Sequence, residues 1–247
     1  MEAQSIKEYE SLEKYYWWFV GRRQIIERVL GRYFPKKNLS ILDWGCGPGG
    51  NFKILEKFGR VLGVDASDEA LRACQEKGIT SVVKATDLDS FIATEQYDLV
   101  TNFDVLEHIT EDEKFLRGVH ALVKLEGYVA VTVPAFQFLW GPLDDAVGHK
   151  RRYTRKEISE KFRRCGYEVV RASYFIFFLS PAFIAYRMFE KILKKKSNSL
   201  QGSVVESPSP INWLLTRILF LEASIIPRLS LPFGTSIIVL AKKVTTS

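Results

Sequence analysis

The chain has 247 residues, enough for one large α/β domain with a full core, and its 47% apolar and 26% charged composition excludes wholesale disorder. Lys and Arg number 35 against 29 Asp and Glu, a net charge of +6 that favours anionic partners such as phosphorylated lipids, nucleic acid or a membrane surface, or a plain solvated basic face. Cys46, Cys74 and Cys165 lie far apart without CxxC spacing, which excludes a zinc knuckle or disulfide framework, and the opening MEAQSIKEYE lacks the features of a secretory signal, so a cytoplasmic location is expected.

Residues Ser5 to Tyr33 read as helical, with Tyr15, Tyr16, Trp17, Trp18 and Phe19 crowded ahead of Arg22 and Arg23. Leu39–Trp44 is a strand-like run that breaks into Gly45-Cys46-Gly47-Pro48-Gly49-Gly50, and helical spacing follows over Asn51–Phe58. Strand patterns recur at Arg60–Val64, Ser81–Lys84, Tyr97–Asn102 and Gly127–Val133, with helical stretches at Asp68–Lys77 and Glu111–Val123. This alternation predicts an α/β domain whose mostly parallel sheet is covered on both faces. Next come a Pro- and aromatic-bearing loop, Pro134 to Tyr153, a helix from Thr154 to Cys165 with a Thr154/Glu157 capping box, and two last strands, Tyr167–Tyr174 and Ser236–Lys242. Roughly 60 residues separate those strands, where a hairpin needs about 2–5. They comprise an apolar run Phe175–Tyr186, basic Lys191 and Lys194–Lys196, a polar stretch Ser197–Pro210 and a second apolar run Ile211–Ile226.

The densest chemical signal is Asp43-Trp44-Gly45-Cys46-Gly47-Pro48-Gly49, where glycines let the backbone approach a ligand and the carboxylate at the strand end can hold a ligand cation. Gly45, Gly47 and Gly50 also satisfy the GxGxxG dinucleotide pattern, so an NAD(P)-dependent oxidoreductase is an alternative at this point. Val61-Leu62-Gly63-Val64-Asp65 ends the second strand in a carboxylate able to accept from both ribose hydroxyls.

With Asp87-Leu88 after the third strand and Tyr97 to His108 through the fourth, ending in VLEH, the series resembles the class I S-adenosylmethionine-dependent methyltransferases of the type 11/12/23-like group, over about residues 39 to 133. The resemblance implies a Rossmann-like, seven-stranded, mostly parallel sheet with helices on both faces and an antiparallel last strand, and S-adenosyl-L-methionine as cofactor, leaving S-adenosyl-L-homocysteine. It places Gly45, Cys46 and Gly47 around the methionine portion, with Asp43 orienting that loop or receiving the ammonium. Asp65 would take the ribose, Ala66 and Ser67 would border the adenine, Asp87 and Leu88 would meet its edge and face, and Asn102 and Phe103 would flank the methionine moiety. Taken singly, Leu88 and Phe103 are more often plain core residues than ligand contacts. Relatives often carry Lys-Pro-Gly-Gly before the fifth strand, where this chain has Lys124-Leu125-Glu126-Gly127.

Methyl transfer from a sulfonium is an in-line displacement, so positioning supplies much of the catalysis. A hydroxyl acceptor is helped by a base, for which His108 or His149 is suited, whereas a phosphate or carboxylate acceptor needs a clamp such as Arg151 and Arg152. The loop Phe138 to Thr154, with its LW…D…GHxRRYT pattern, and the Trp17-Trp18-Phe19 and Arg22-Arg23 pairs resemble the signature of one methyltransferase group. The resemblance implies a substrate mouth of Tyr16, Trp17, Trp18, Arg22, Arg23, Trp140, Arg151, Arg152 and Tyr153; no role carries over to Leu143, where that group often has His. Asp104, Glu107 and His108 form an acid-x-x-Glu-His pattern resembling the metal-holding motif of ubiquinone-pathway O-methyltransferases and small-RNA 2′-O-methyltransferases, with His149 as a fourth ligand for Mg²⁺, Mn²⁺ or Zn²⁺. Metal-free methyltransferases also carry LEH, so the metal stays open.

The expected division is a helical substrate-side cap over residues 1–38, a cofactor core over 39–175 and 234–247, and an insertion over 176–233. Neither apolar run of the insertion reaches the ~20 residues of a membrane span, and Pro181, Arg217 and Glu222 interrupt them. The insertion is therefore an active-site cap, a dimer interface or a monotopic attachment with its lysines at anionic headgroups on the inner face of a membrane. The expected function is O-methylation, or methylation of an anionic group, on a small or lipid-linked metabolite such as a polyprenyl phosphate, quinone precursor or glycan intermediate. An RNA 2′-O-methyltransferase and a non-catalytic cofactor-binding scaffold are the alternatives, the former without any RNA-binding module or arginine-rich tail in the chain.

Overall fold

In the computed structural model, which describes residues 11–36, 38–192 and 209–244, the alternating pattern builds one sheet with strand order β3-β2-β1-β4-β5-β7-β6. Its strands are β1 (Leu39–Trp44), β2 (Gly59–Asp65), β3 (Val82–Lys84), β4 (Tyr97–Phe103), β5 (Val123–Pro134), β6 (Tyr167–Phe175) and β7 (Ser236–Lys243). Neighbours pair in parallel from β3 to β5, and β7 runs antiparallel to both β5 and β6. The central strands are buried nearly throughout because both sheet faces are covered, as in β1, where Ser40 to Trp44 are all buried. This is the expected Rossmann-like arrangement with an antiparallel last strand.

The helices are α1 (Trp17–Tyr33), α2 (Phe52–Leu55), α3 (Asp68–Glu76), α4 (Asp112–Leu122), α5 (Pro142–Val147), α6 (Arg155–Arg164), α7 (Ser180–Ile192) and α8 (Ser209–Ile225), with a helical turn at residues 11–15 ahead of α1. Ser67 starts α3 by accepting from the Ala70 amide at 3.2 Å, with Asp68 and Glu69 in its first turn facing the positive end of the helix dipole. Thr154 and Glu157 form the expected capping box of α6.

Three boundaries differ from expectation. Tyr16 is extended and separates residues 11–15 from α1. The helix expected over Asn51–Phe58 shrinks to one turn, because the Phe58 carbonyl is drawn into the start of the sheet by the Leu39 amide at 3.0 Å. β5 begins at Val123 rather than Gly127: it pairs Tyr97 with Val123, then shifts register to pair Leu99 with Tyr128, with Glu126 at φ 65° absorbing the extra residues.

The second apolar run of the insertion is structural. α8 packs along α1 so tightly that a Cβ on Gly21 would lie 2.2 Å from Leu219 Cδ1, and Leu219, Ala223 and Ile226 share a core with Ile25, Ile26 and Val29. Asn212 ties the two helices, accepting from the Trp17 amide at 2.8 Å and donating to the Tyr15 carbonyl at 2.9 Å. Glu222, which interrupts the run in sequence, is buried; its Oε1 accepts from the Phe178 amide at 3.0 Å, and burial pushes its carboxyl up. No helix among the described residues is long and apolar enough to cross a membrane. Lys194, Lys195, Lys196 and most of the polar stretch lie outside the described residues.

Candidate active site

The parallel strands β1, β2 and β4 end at one edge, where loops leaving the carboxyl ends build the site. At the end of β1 the chain reverses through Gly45 and Gly47, at φ 77° and 54°, while the Gly45 and Cys46 amides both donate to the Val64 carbonyl at 2.7 and 3.0 Å. Gly45 is needed for space as well as conformation, since a Cβ there would meet Val105 Cγ2 at 2.3 Å. A Cβ on Gly47 would meet nothing within 4 Å, so the backbone at Gly47 faces open space.

Three carboxylates surround this loop. Asp65 accepts from the Gly47 amide at 2.8 Å and the Ser67 amide at 2.9 Å, locking the loop onto the end of β2 and leaving lone pairs on both oxygens for a further donor. Asp43 is buried, takes the Thr101 hydroxyl on Oδ1 at 2.6 Å and has no partner for Oδ2. Burial pushes its pKa up to about 6, against the Thr101 hydrogen bond and the Arg22 charge, with the negative charges of Asp65 and Glu13 adding to the rise. Glu13 comes from the helical turn before α1 and lies against Gly50, where a Cβ would be 2.3 Å from its Oε1. An acidic edge with an unpartnered buried carboxylate oxygen suits a cationic ligand and repels a pyrophosphate, which answers the dinucleotide alternative raised by the glycine spacing.

The other cofactor candidates fall into place unevenly. Ala66 is exposed beside Ser67, whose hydroxyl is occupied in capping α3; Asp87 is exposed and closes a turn by accepting from the Ser90 amide at 2.8 Å. Asn102 is buried, donates to the Trp44 carbonyl at 3.2 Å and keeps an unpartnered Oδ1. Three assignments need correction at the side-chain level. Phe103 is 5% exposed and belongs to the apolar core with Phe52 and Leu99. The Cys46 sulfur is buried against Gly63, so at this position only the backbone faces a ligand. Leu88 lies against Gly118 of α4 and is a packing residue on that face.

Beyond β4, Asp104 adopts φ 57° and forms an ion pair with Arg22, which is buried beneath Trp18 at 4.8 Å. Arg22 thus belongs to the site from below: its charge lowers both Asp43 and Glu107. Glu107 is buried with neither oxygen hydrogen-bonded, and burial pushes its pKa up to about 8. Over it meet His108 and His149, ring centroids 4.8 Å apart, with His149 Nε2 3.7 Å from Glu107 Oε1. His108 hydrogen-bonds the Gly148 carbonyl through Nδ1 at 3.3 Å, and burial followed by the His149 charge pulls its pKa below the usual histidine range. Glu107, His108 and His149 each offer a ligand atom within 4.8 Å of the others; Asp104, engaged by Arg22, is not of that group, which corrects its place in the expected metal set.

The loop carrying His149 is closed at its base by a bridge between Ala135 and Tyr153, and the Lys150 amide pins it to the Glu107 carbonyl at 2.8 Å. Here two substrate assignments are corrected. Arg152 is buried, with Nε and one Nη on Asp144 at 2.8 and 2.9 Å and the other Nη on the Ala135 carbonyl at 3.2 Å, so it is a loop anchor and not a free clamp. Tyr153 is wholly buried, its hydroxyl donating to Asp112 at 2.9 Å, and burial together with the Asp112 charge drives its pKa up. Arg151 turns to the Thr110 carbonyl at 2.6 Å and Asp112 at 3.1 Å. Trp140, half-buried, donates to Asp145 at 3.0 Å. Tyr16, Trp17 and Trp18 are half-buried, and Arg23 holds the Glu13 carbonyl. Glu13 and Asp144 were not singled out from sequence: nothing in the helical run before α1 marks Glu13, and Asp144 looks like its neighbour Asp145.

Residues 42–131, which span the glycine loop, Asp65 and the end of β4, match a family model described as a methyltransferase domain. Over residues 42–131 the chain carries a methyltransferase domain, on a sheet with the Rossmann-like strand order of the class I fold. The sheet of this methyltransferase domain is shared with an S-adenosylmethionine-dependent methyltransferase from Archaeoglobus fulgidus, at TM-score 0.57 and 20% identity over 96% of this chain and 99% of that one. It is also shared with a chain of the Haloferax volcanii complex between the Trm112 methyltransferase activator and a methyltransferase, at TM-score 0.62 and 15% identity over 99% and 96%. A ubiquinone biosynthesis O-methyltransferase of Ruegeria pomeroyi is 32% identical over 107 residues, 41% of this chain and 43% of the relative, so the chain spans less than half the length of that protein.

Proposed function

We propose that this protein transfers a methyl group from S-adenosylmethionine to an oxygen of a small or lipid-linked metabolite, with His149 as the base. The observation that carries this reading is the pair of histidine rings over Glu107, at the same strand edge as the glycine loop and Asp65. Asp65 would hold the ribose, the Gly45–Gly47 backbone the methionine portion, and Asp43 Oδ2, with Glu13 nearby, the ammonium. In the reaction the acceptor O–H gives its proton to His149 Nε2 while its oxygen attacks the methyl carbon. S-adenosylmethionine, when bound, would supply the electrophilic methyl group and take the electron pair of the methyl–sulfur bond onto sulfur, leaving S-adenosylhomocysteine, while His149 would hold the acceptor's proton. The name of the Ruegeria relative points to a quinone precursor among the acceptors considered.

A second reading of the same cluster is favoured by the two unpartnered oxygens of buried Glu107. Glu107, His108 and His149 would hold a divalent cation, which when bound supplies Lewis-acid polarisation of the acceptor oxygen. Membrane contact is supported by apolar side chains left outside the core, including Tyr186, Met188 and Phe189 on α7 and Trp213, Leu214 and Leu221 on α8.

The test is incubation of the protein with methyl-labelled S-adenosylmethionine and fractionated extract, followed by mass spectrometry. A labelled methoxy product in the small-molecule or lipid fraction is expected. Label confined to RNA overturns the acceptor class, and no transfer to any fraction favours the cofactor-binding scaffold.

A further inference from the structure

We propose that Asp144 is a positioning residue that fixes the tautomer and aim of His149; this rests on the reading of His149 as the base. The Asp144 carboxylate is 0% exposed and has every partner it needs inside the protein. Its Oδ1 accepts from His149 Nδ1 at 2.7 Å and Arg152 Nε at 2.8 Å, and its Oδ2 accepts from the Gly141 amide at 2.8 Å and an Arg152 Nη at 2.9 Å. Three of these four partners, the Gly141 amide and the two Arg152 nitrogens, can only donate, so both oxygens of Asp144 act as acceptors.

An ionised carboxylate is an acceptor alone, so the 2.7 Å contact requires the proton of neutral His149 to reside on Nδ1. Nε2 is then a lone pair, aimed at the space beside Glu107 Oε1 and the His108 ring. When Nε2 receives a proton, the imidazolium charge forms against a fixed counter-charge that needs no rearrangement. Arg152 makes the arrangement rigid: it grips both oxygens of Asp144 and, through the Ala135 carbonyl, ties them to the end of β5. The buried carboxylate therefore joins the base to the sheet.

Asp144→Asn separates this role from simple bracing. Its amide nitrogen could replace Oδ2, facing two donors, or Oδ1, facing Arg152 Nε and a histidine able to adapt. The second leaves fewer donors opposed, and it forces His149 into the Nε2–H form, which cannot accept a proton. Nitrogen-15 NMR of the full chain, with three histidines to assign, is expected to show His149 as Nδ1–H in the wild type and Nε2–H in D144N. Methyl transfer from labelled S-adenosylmethionine to the responsive extract fraction should fall about 100-fold in D144N, while S-adenosylhomocysteine affinity measured by calorimetry stays within twofold. Arg152→Lys, which loosens the loop but keeps the Asp144–His149 bond, should retain the Nδ1–H form with a rate between those of the wild type and D144N. The proposal is overturned by an Nε2–H wild type, by D144N active with a flipped tautomer, or by R152K losing as much rate with the tautomer intact. If D144N does not fold, the wild-type tautomer and R152K still decide. His149→Ala retaining full activity would instead remove the base assignment itself.

Discussion

Glu107 is a buried acid without a hydrogen-bond partner for either oxygen, and that fixes how stability should change with pH. In the unfolded chain it loses its proton near 4.5, whereas in the fold its pKa is pushed up to about 8. Below the lower value both states carry the proton and Glu107 contributes no slope. Between the two values the folded state keeps a proton that the unfolded state has lost, so stability falls with rising pH by about 1.4 kcal/mol per pH unit. Above pH 8 both states are ionised and the loss levels off. The full interval sets a ceiling of about 5 kcal/mol, and water entering around the ionised group lowers the expected loss to about 2–4 kcal/mol. Glu107→Gln keeps the shape and removes the titration. Urea unfolding of both proteins from pH 4 to 9 in the presence of EDTA gives the difference directly, and slopes from Asp43 and other shared groups cancel. The variant should match the wild type near pH 4.5 and exceed it by about 2–4 kcal/mol near pH 8.5. A difference that is flat across this range would show that Glu107 is solvated or ion-paired, and the unpartnered carboxyl at the centre of the site would have to be abandoned.

Further expectations follow from the same geometry. Gly45→Ala, which places a Cβ against Val105 at a positive φ, should abolish S-adenosylhomocysteine binding and lower stability by about 1–3 kcal/mol, measured by calorimetry and denaturant unfolding; retained binding contradicts the loop geometry. If the Glu107–His108–His149 cluster holds a divalent ion, chelation stops transfer and Mg²⁺, Mn²⁺ or Zn²⁺ restores it, while full activity in EDTA removes that reading. For the membrane proposal, Gln at Lys194, Lys195 and Lys196 should weaken sedimentation with anionic liposomes by about 1 kcal/mol per charge, and added salt should do the same. Wild-type protein that ignores anionic liposomes would move the acceptor from lipid-linked to soluble.

Much of the fold was legible because each strand announces itself by a short apolar run and three of them end in diagnostic residues: Asp43 with its glycines, Asp65, and Asn102 ahead of the Glu107-His108 pair. The sequence also located the turn where the backbone is left open, at Gly47. Side-chain direction was harder to read, because it depends on which neighbour arrives from elsewhere in the chain. Arg151-Arg152-Tyr153 looks like an exposed clamp, yet Arg152 and Tyr153 point inward to Asp144 and Asp112, which lie 8 and 41 residues away. Of the pair Asp144-Asp145, the first is buried under four donors and the second faces Trp140 at the surface, a difference set by packing and invisible in composition. The run Ile211–Ile226 suggested a membrane or cap because apolar length alone cannot say whether the partner is lipid or protein; Gly21 opposite Leu219 shows that one face belongs to α1. Glu13 reaches the glycine loop through the placement of residues 11–15, for which the sequence carries no marker.

Binding of S-adenosylmethionine at the acidic edge formed by Asp43, Asp65 and the glycine loop is tested by calorimetric titration, without knowledge of the acceptor. S-adenosylhomocysteine should bind the full chain one-to-one, NAD should not bind, and Asp65→Ala should weaken the interaction by roughly 1.5–3 kcal/mol through loss of the charged ribose acceptor. Near-native unfolding of the variant shows that the fold survives the change. Absence of S-adenosylhomocysteine binding, affinity unchanged in Asp65→Ala, or tight NAD binding in its place would show that this edge is not a site for S-adenosylmethionine.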